Sequence, residues 1–345
     1  MGRPTIMLVH PGVMLLLGLI VLAMLLWLFY PGNGGLARLS KIRKNNQRVL
    51  LEDALKYMFD CEYRDEVCGL NSLAGNLNIS ADQCSQLIER LDALGLISES
   101  ERSISLTSKG RSYALRIIRV HRIWESYLAD ETGLEPAEWH READTLEHQV
   151  TIQDIEALAA RMGHPVFDPH GDPIPTSGGE LPRLKGKPLS QMKKGEIGRI
   201  THIEDEPRNI YEQLVVQGLY PGMQVYVTDV TGQKIVIAAD GDECMLTPLF
   251  AAQITVEIVK EEIPITRKYD RLSSLNVGEQ AEVAGISPHC RGQQRRRLMD
   301  LGIVPGSLIS AVMRSASGDP VGFRVMGTTI GIRKKQAEMV FIIKK

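Results

Sequence analysis

An internal repeat towards the C-terminus constrains the fold of this chain more than any other feature. The run LSQMKKGEIGRI, from Leu189, matches LSSLNVGEQAEV, from Leu272, and LVVQGLYPGMQV, from Leu214, matches LMDLGIVPGSLI, from Leu298. Each copy has a leucine-rich entry, a Gly-Glu turn, a strand, a short helix that ends in glycine, and a Pro-Gly turn into a strand pair. Short strands joined by tight turns favour a small barrel. The chain should therefore contain two copies of one β-rich domain, at residues 188–260 and 271–345, joined by a linker at 261–270.

Residues 13–30, VMLLLGLIVLAMLLWLFY, form an apolar stretch without a charged side chain. This length suits a helix that crosses the hydrocarbon core of a bilayer. Five Lys and Arg residues follow it before the first acid, Glu52. The positive-inside rule then predicts a transmembrane anchor at residues 1–32, a basic juxtamembrane segment at 33–48, and a single-pass protein of the cell inner membrane whose bulk is cytoplasmic. The alternative is a cleaved signal peptide, which normally carries its charge ahead of the apolar run.

The composition describes a folded chain of several domains. Its 345 residues are enough for two or three domains, and 43% hydrophobic residues with 24% charged residues and a net charge of -2 exclude a disordered chain. The five cysteines form no CxxC pair. They are therefore predicted to be reduced thiols, and a zinc ribbon is excluded.

Residues 70–97, LNSLAGNLNISADQCSQLIERLDALGLI, have the pattern of two helices separated by a turn. Ser80 suits the N-cap of the second helix, Gly95 suits its end, and the Leu and Ile residues between them form one apolar face. A preceding helix over 49–59 and a two-stranded wing over 97–107 would complete a winged helix-turn-helix at residues 49–110. The alternative is a helical hairpin that contacts another protein. The side chains that would lie towards DNA are Ser80, Asp82, Gln83, Ser85, Gln86 and Arg90.

The charge of this region predicts weak contacts with phosphates. Residues 68–110 contain five acids and three bases, whereas a DNA-binding unit normally gains most of its affinity from Lys and Arg. Asp82 would face a groove lined with negative charge. Gln83, Ser85 and Gln86 could still read base edges, because a glutamine can pair bidentately with adenine. The basic run at 38–48 could supply phosphate contacts or bind anionic lipid.

Residues 121–148, HRIWESYLADETGLEPAEWHREADTLEH, predict two helices around a turn at Thr132-Gly133. His121 and Glu125 are four residues apart and share one face of the first helix. His140, Asp144, Glu147 and His148 fall on one face of the second helix. Imidazoles and carboxylates gathered in this way suit a divalent ion such as Fe(II), Mn(II) or Zn(II). The alternative is a pair of amphipathic helices whose charges only face water.

These motifs resemble the diphtheria-toxin-repressor (DtxR) family of metal-dependent transcriptional repressors. The HRIWE opening, the GLEP turn, the histidine before an acidic stretch and the closing EH stand in the order of its metal-binding and dimerisation domain, here residues 111–165. The LTSKG run and the DPHGDPIP linker, within 166–187, resemble the same family. Both repeat copies resemble the FeoA family, SH3-like barrels associated with ferrous iron transport. The predicted fold class is therefore α+β multidomain, with an N-terminal transmembrane helix, a winged helix-turn-helix, a helical metal-binding and dimerisation domain, and two small SH3-like β-barrels.

The resemblance also implies which residues bind metal. In the iron-sensing branch, a primary site takes one ligand from the first helix and three from a later helix, and the corresponding residues here are Asp53, Asp144, Glu147 and His148. The ancillary site corresponds to His121, Glu125 and His140, with Glu204 and Asp205 as further oxygen ligands from the SH3-like domain. Lys56 stands where the manganese branch has a second carboxylate. Because His140 matches the iron branch, the resemblance implies Fe(II) as the first choice and Mn(II) as the second.

Two functions from different classes follow from the resemblance. The first is a membrane-tethered, iron- or manganese-dependent regulator that binds a double-stranded DNA operator as a homodimer. The second is an accessory protein of a ferrous iron transporter, whose winged helix no longer reads DNA. An enzyme is not expected, since no HExxH or Ser-His-Asp arrangement occurs. A basic patch in the second repeat copy, Arg291 and Arg295 to Arg297, is a solvated surface or a site for a partner or phosphate.

Overall fold

The computed structural model describes residues 35–100, 103–239, 242–259 and 269–345, with side chains described from residue 47 onward. The described residues divide into two compact units, the first ending at Ala114 and the second running from Leu115 to Lys345. The first unit contains helices α1 (Gly35–Tyr63), α2 (Leu70–Asn76) and α3 (Ala81–Ala93), and strands β1 (Ile97–Glu99) and β2 (Ile104–Leu106). These elements follow one another as a winged helix-turn-helix requires.

Helix α3 begins and ends where the sequence predicts. The Ser80 hydroxyl accepts a hydrogen bond from the Gln83 amide, and the Gln83 side chain accepts one from the Ser80 amide. This reciprocal capping box satisfies two of the backbone donors that a helix N-terminus leaves free. Gly95, with φ of 65°, occupies the left-handed conformation that ends the helix. The apolar face of α3, including Leu87 and Leu91, is buried.

The wing is an antiparallel pair in which Ile97 lies opposite Leu106. The chain then turns directly into helix α4 (Ser108–Glu131). At this turn a Cβ on Gly110 would lie 1.9 Å from the Leu96 carbonyl oxygen. Only a glycine allows the helix to start so close to the wing, which explains the glycine of the LTSKG run.

The predicted fold class and cellular location both included a transmembrane helix, and the structure corrects that part of them. Within the ranges described above, no helix is long and apolar enough to cross a membrane. The longest described helix, α1, carries Arg, Lys and acidic residues along its length, and such charges are costly in hydrocarbon. The transmembrane helix is therefore removed from the fold class, and the inner-membrane location that depended on it is withdrawn. The stretch that carried the prediction, residues 13–30, lies outside the described residues.

The second unit begins with the helices that carry most of the predicted metal ligands. Helix α4 is followed by a 3-10 turn at Pro136–Glu138, then by α5 (Trp139–Glu147) and α6 (Ile152–Arg161). Pro136 stands at the start of the 3-10 turn, where its missing amide proton costs nothing. Ile123 on α4 packs in one apolar cluster with Ile155 on α6, and Trp139 packs in another at the start of α5. These clusters hold α4 and α5 with their polar faces together.

Two β-rich domains with the same strand order complete the second unit, as the internal repeat predicts. In each domain the last strand lies between the first and the second strand, and the remaining strands follow in chain order. Each has its own apolar core. The first contains β3 (Lys187–Pro188), β4 (Ile197–Ile203), α7 (Arg208–Val216), β5 (Gln224–Val230), β6 (Ile235–Ala239), β7 (Asp242–Leu246), α8 (Pro248–Ala252) and β8 (Ile254–Ile258). The second contains β9 (Asp270–Arg271), β10 (Gln280–Ile286), α9 (Gly292–Asp300), β11 (Leu308–Arg314), β12 (Val321–Val325), β13 (Thr328–Ile332), α10 (Lys334–Ala337) and β14 (Val340–Lys344).

Candidate metal centre

His121 lies buried on α4 in the middle of a cluster of acids. Its Nδ1 is 2.6 Å from Oε2 of Glu147 and 3.3 Å from Oδ1 of Asp144. Its Nε2 is 3.1 Å from Oε1 of Glu125 and 3.2 Å from Nδ1 of His140. Spacings of three and four residues place Glu125 one turn along α4, and align His140, Asp144 and Glu147 on the facing side of α5. The two helices thus bring the predicted ligands of this hairpin together.

His140 connects this cluster to the first β-rich domain. Its Nδ1 lies 2.8 Å from Oδ2 of Asp205 and 3.1 Å from Oε1 of Glu125. Its Nε2 lies 3.5 Å from Oε1 of Glu206. Both acids belong to residues 204–207, which join β4 to α7. Asp205 was predicted and Glu206 was not, while the backbone amide of the predicted Glu204 donates to the Gln253 carbonyl.

His170 joins the same centre, and sequence reasoning missed it. The side chain is 1% exposed, and neither ring nitrogen has a hydrogen-bond partner within the described part of the chain. Its Nε2 lies 3.8 Å from both Oε1 of Glu125 and Oδ2 of Asp205. A buried polar atom without a partner costs about 1–3 kcal/mol, and a bond to a metal would satisfy it. The only sequence signal was a histidine inside the turn-rich DPHGDPIP motif.

The turn that carries His170 is fixed from two sides. Oδ1 of Asp168 accepts hydrogen bonds from the backbone amides of His170 and Asp172, both at 2.9 Å. Arg122, the residue after His121 on α4, donates to Asp172 at 3.1 Å. Nε2 of His202, on β4, lies 3.2 Å from Asp172 on the other side. This network holds the His170 backbone between α4 and the first β-rich domain, so that its ring is placed before any ion binds.

The charges at this centre stabilise one another through hydrogen bonds. Burial alone would raise the pKa of Glu125, but the neighbouring His121 and His140 hold it well below its ordinary value. Burial alone would lower the pKa of His140, yet hydrogen bonds to Asp205, Glu125 and Glu206 raise it above its ordinary value. Both directions favour the charged form of the group, the carboxylate of Glu125 and the imidazolium of His140. An ion that binds His140 would compete with a proton, so metal affinity should depend on pH.

The donor set fits a divalent ion of borderline or hard character. Five carboxylates surround three imidazoles, as the distances above show, so negative charge is in excess. The donors of His121, His140 and Asp144, and those of Glu125, His170 and Asp205, each lie within 4.8 Å of one another. Donors around a tetrahedral ion with bonds of about 2.0–2.1 Å are about 3.3 Å apart, so small side-chain movements would complete either group. Neither group includes a cysteine.

The ligands implied for the primary site are distributed over both units. Glu147 is buried, and its Oε1 lies 3.5 Å from Nε2 of His148, the residue that ends α5. The side chain of Asp144 is 47% exposed and lies against His121 and His140. Asp53 lies half-buried on α1 of the first unit. Its membership of the site stays a prediction.

The side chains predicted to read DNA are exposed on α3 and at its N-cap. Ser80 and Gln83 are already engaged with each other in the capping box. Arg90 donates to Oε1 of Gln47 on α1 at 3.0 Å. Ser85 and Gln86 remain exposed on the same face of the helix, with Asp82 before them. Gln86 is therefore a better candidate than Gln83 for reading a base.

Two family models match most of the second unit. Residues 107–176 match the iron dependent repressor, metal binding and dimerisation domain. Residues 187–258 and 271–344 each match the FeoA domain.

Named relatives match part of the chain. The iron-dependent repressor IdeR of Mycobacterium tuberculosis is 27% identical over 208 residues, 56% of this chain and 90% of that protein. The diphtheria toxin repressor of Corynebacterium diphtheriae is 28% identical over 196 residues, 54% of this chain and 86% of that protein. A probable metal transport system membrane protein of Chlamydia trachomatis is 40% identical over 81 residues, 24% of this chain and 18% of that protein.

Solved structures show the same likeness. A manganese-dependent transcriptional repressor in complex with manganese aligns with a TM-score of 0.57 and 28% identity, over 61% of this chain and all of that one. IdeR of T. acidophilum aligns with a TM-score of 0.52 and 25% identity, over 60% of this chain and 97% of that one.

Proposed function

This chain belongs to the DtxR/IdeR type of metal-dependent transcriptional repressors, and on that premise we propose that Fe(II) or Mn(II) bound at the helical cluster switches its winged helix to a DNA-binding form. The observation that carries the proposal is the excess of carboxylates over imidazoles around His121 and His140, together with the buried ring of His170, which forms no hydrogen bond. A divalent cation would neutralise that excess and satisfy the ring. The relatives that support the proposal are repressors and not enzymes, so we propose no catalytic activity.

We assign two groups of ligands to the centre. His121, Glu125, His140 and Asp205 would hold one ion, and His170 is added to them on the geometry described above. Glu147 and His148 would hold the other, with Asp144 and Asp53 completing the set that the resemblance implies. In the metal-free chain the carboxylates of Glu125 and Asp205 lie 3.1 and 2.8 Å from Nδ1 of His140. When an ion is bound, it supplies a charge that fixes these side chains, which come from separate parts of the chain, in one arrangement.

Fe(II) is our first choice of ion and Mn(II) the second. All the donors are oxygen or imidazole nitrogen, and such a set accepts either ion. The relatives named iron-dependent repressors favour iron, whereas the solved structure bound to manganese favours the second ion. Anaerobic titration of the chain with each ion tests this choice, and the Kd should be lower for Fe(II) than for Mn(II). A lower Kd for Mn(II) would reverse the assignment.

We further propose that the active form is a homodimer that binds a double-stranded DNA operator through α3. The metal favours the ordered form, so it shifts the population towards the DNA-binding state. A selection from genomic fragments with the purified chain tests this directly. We expect a defined palindrome to be retained with Fe(II) or Mn(II) and released by a chelator. Failure to retain any fragment, with metal shown to be bound, would refute the regulator.

The second candidate is an accessory role in ferrous iron transport. The two FeoA copies favour it, and so does the excess of acids over bases in residues 68–110. On this hypothesis the chain binds metal and no DNA at moderate salt. Deleting residues 272–345 would then impair iron uptake and leave the transcription of uptake genes unchanged. A metal-dependent footprint on DNA would exclude the accessory role as the main function.

A further inference from the structure

The second FeoA domain contacts the C-terminal end of helix α4 through arginines of its own helix α9. Nη1 of Arg296 lies 2.9 Å from Oε2 of Glu131, and its Nη2 donates to the Asp130 carbonyl at 2.8 Å. Nη1 of Arg291, the N-cap of α9, lies 3.7 Å from Oδ1 of Asp130. Two residues of the basic patch in the second repeat copy are therefore paired with acids of the metal-binding domain.

The two helices also meet end to end. The backbone amide of Gln293, in the first turn of α9, donates to the Thr132 carbonyl just beyond α4 at 3.2 Å. A Cβ on Gly292 would lie 2.3 Å from that same carbonyl oxygen and 2.8 Å from the carbonyl oxygen of Ala129. Glycine at this position lets the free amides of one helix approach the free carbonyls of the other. Opposite ends of two helix dipoles attract, and the arginines add positive charge to the α4 end.

This contact is made on the segment that joins the two ligand-bearing helices. Helix α4 carries His121 and Glu125, and the chain reaches His140 on α5 through the turn after Thr132. In that turn Glu135 forms a second contact, because Nζ of Lys335 lies 3.1 Å from its Oε2. The second FeoA domain therefore holds both the beginning and the middle of the turn.

We propose that the second FeoA domain is an intramolecular clamp on the metal-binding hairpin, and that its docking raises the affinity of the hairpin for metal. The inference rests on the metal site proposed above. When the turn is held in place, the separation of α4 and α5 is already fixed. Ion binding then costs less conformational entropy, and the affinity for the ion is higher. Linkage requires the reverse as well: a bound ion must tighten the docking by the same factor.

The ion pairs that dock the second FeoA domain are exposed, so the docking should be reversible. The side chains of Arg296, Glu131 and Lys335 are 51%, 42% and 70% exposed, so salt screens their attraction. A cavity of about 1030 Å³ lies beside the contact, between the α4–α5 turn, the end of α7 and the second FeoA domain. The domain is thus held beside this cavity by polar contacts at the turn. High salt should open the clamp.

The test compares two arginines of the same helix in the full chain. Arg296→Glu places a negative charge against Glu131, whereas Arg297→Glu makes the same charge change at an exposed position for which no ion pair is seen among the described residues. We measure amide hydrogen exchange of residues 129–138 without metal, and the Kd for Mn(II) alone. Arg296→Glu should accelerate the exchange and raise the Kd about fivefold, and Arg297→Glu should change neither. The swap Arg296→Glu with Glu131→Arg should restore both values.

Each outcome decides a separate point. Equal exchange in the two single variants would overturn the docking. Faster exchange in Arg296→Glu with an unchanged Kd would overturn the coupling to metal. Failure of the charge swap to restore a folded, metal-binding chain would show that the two side chains do not act as a pair. A chain that binds no Mn(II) or Fe(II) in any variant would instead refute the metal site, while the exchange data would still report on the docking.

Discussion

Equivalent loops of the two FeoA domains present opposite charges to the helical metal-binding domain. In the first domain, residues 204–207 join β4 to α7 and present Asp205 and Glu206 to the imidazole of His140. In the second domain, residues 287–291 join β10 to α9 and end in Arg291, which faces Asp130 at the end of α4. The strand order is the same in both copies, and each copy has its own apolar core. On our proposals, acids in this loop make the first domain a source of ligands, while Arg291 and the helix that follows it make the second domain a clamp.

Two copies of one fold can therefore affect metal binding differently, according to where each copy lies and which charges its loop carries. An acid next to a buried imidazole can bind the ion, and a base next to a helix C-terminus can cap that helix. Loss of the acid should change the metal affinity strongly because the acid contacts the ion. Loss of the base should change it weakly because the base acts through the α4–α5 turn.

The largest expected loss comes from ligands that neither FeoA domain supplies. Glu147→Ala combined with His148→Ala should abolish one metal equivalent, because two donors of one group are removed together. Isothermal titration with Mn(II) measures the stoichiometry. His121→Ala should cost less on the resemblance-based assignment, since it removes an ancillary ligand. An unchanged stoichiometry in the double variant would contradict that assignment.

The next prediction addresses the two loops themselves. Asp205→Ala should weaken metal binding by about 100-fold or more, because it removes a proposed ligand, and loss of even a hydrogen-bond partner of a ligand costs about 10- to 100-fold. Arg291→Ala should weaken it less than about fivefold, because that side chain acts through the turn. Asp229→Ala, an exposed acid of the same FeoA domain, serves as the control for Asp205. Equal losses in the two loops would remove the distinction between ligand source and clamp.

His170 should matter more when a metal is bound than when it is not. His170→Leu should weaken metal binding, since it removes a proposed donor. The same change should alter the stability of the metal-free chain by no more than about 1 kcal/mol, because the ring forms no hydrogen bond there and lies 3.8 Å from the carboxylates of Glu125 and Asp205. Thermal unfolding with and without Mn(II) measures both. A larger loss of stability in the metal-free form would indicate that the ring has a structural role.

The smallest predicted effect lies in the second loop and depends on pH. Burial and the neighbouring Arg291 lower the pKa of His289 below its ordinary value of 6.5. The folded chain then binds fewer protons than the unfolded chain, so the stability contributed by neutral His289 is present above pH 6.5 and declines below it. Denaturant unfolding of the wild-type chain at pH 7 and pH 5.5 should show this decline, and His289→Gln should reduce it. Equal pH dependence in both would contradict the prediction.

The sequence predicted the repeat and the helical faces because both depend on local spacing. Period and turn residues were sufficient to expect two like domains, and spacings of three and four placed His140, Asp144 and Glu147 on one side of a helix. Such spacings predict a helix or strand wherever one face of that helix or strand is buried. The capping box at Ser80 is of the same local kind.

The rest depended on contacts between distant parts of the chain. His170 lies in a turn rich in Pro, Gly and Asp, where composition indicates a linker, and its ring is buried against Trp139 and Tyr211, which are distant in sequence. The pairing of Arg296 with Glu131 joins residues 165 positions apart, and an exposed arginine gives no sign of its partner. The membrane prediction extended a local hydropathy pattern to the fold class, and the described helices do not support that step.

The absence of sulfur from the two donor groups described in the second unit has a consequence for oxidising conditions. Peroxide attacks thiolates first and converts them to acids that no longer bind metal as thiolates do. Carboxylates and imidazoles do not follow that route. The cysteines Cys61, Cys68, Cys84 and Cys290 are buried, and Cys244 is partly so. Thiol oxidation would therefore leave the two donor groups unchanged, and their occupancy would then depend on the supply of the reduced ion.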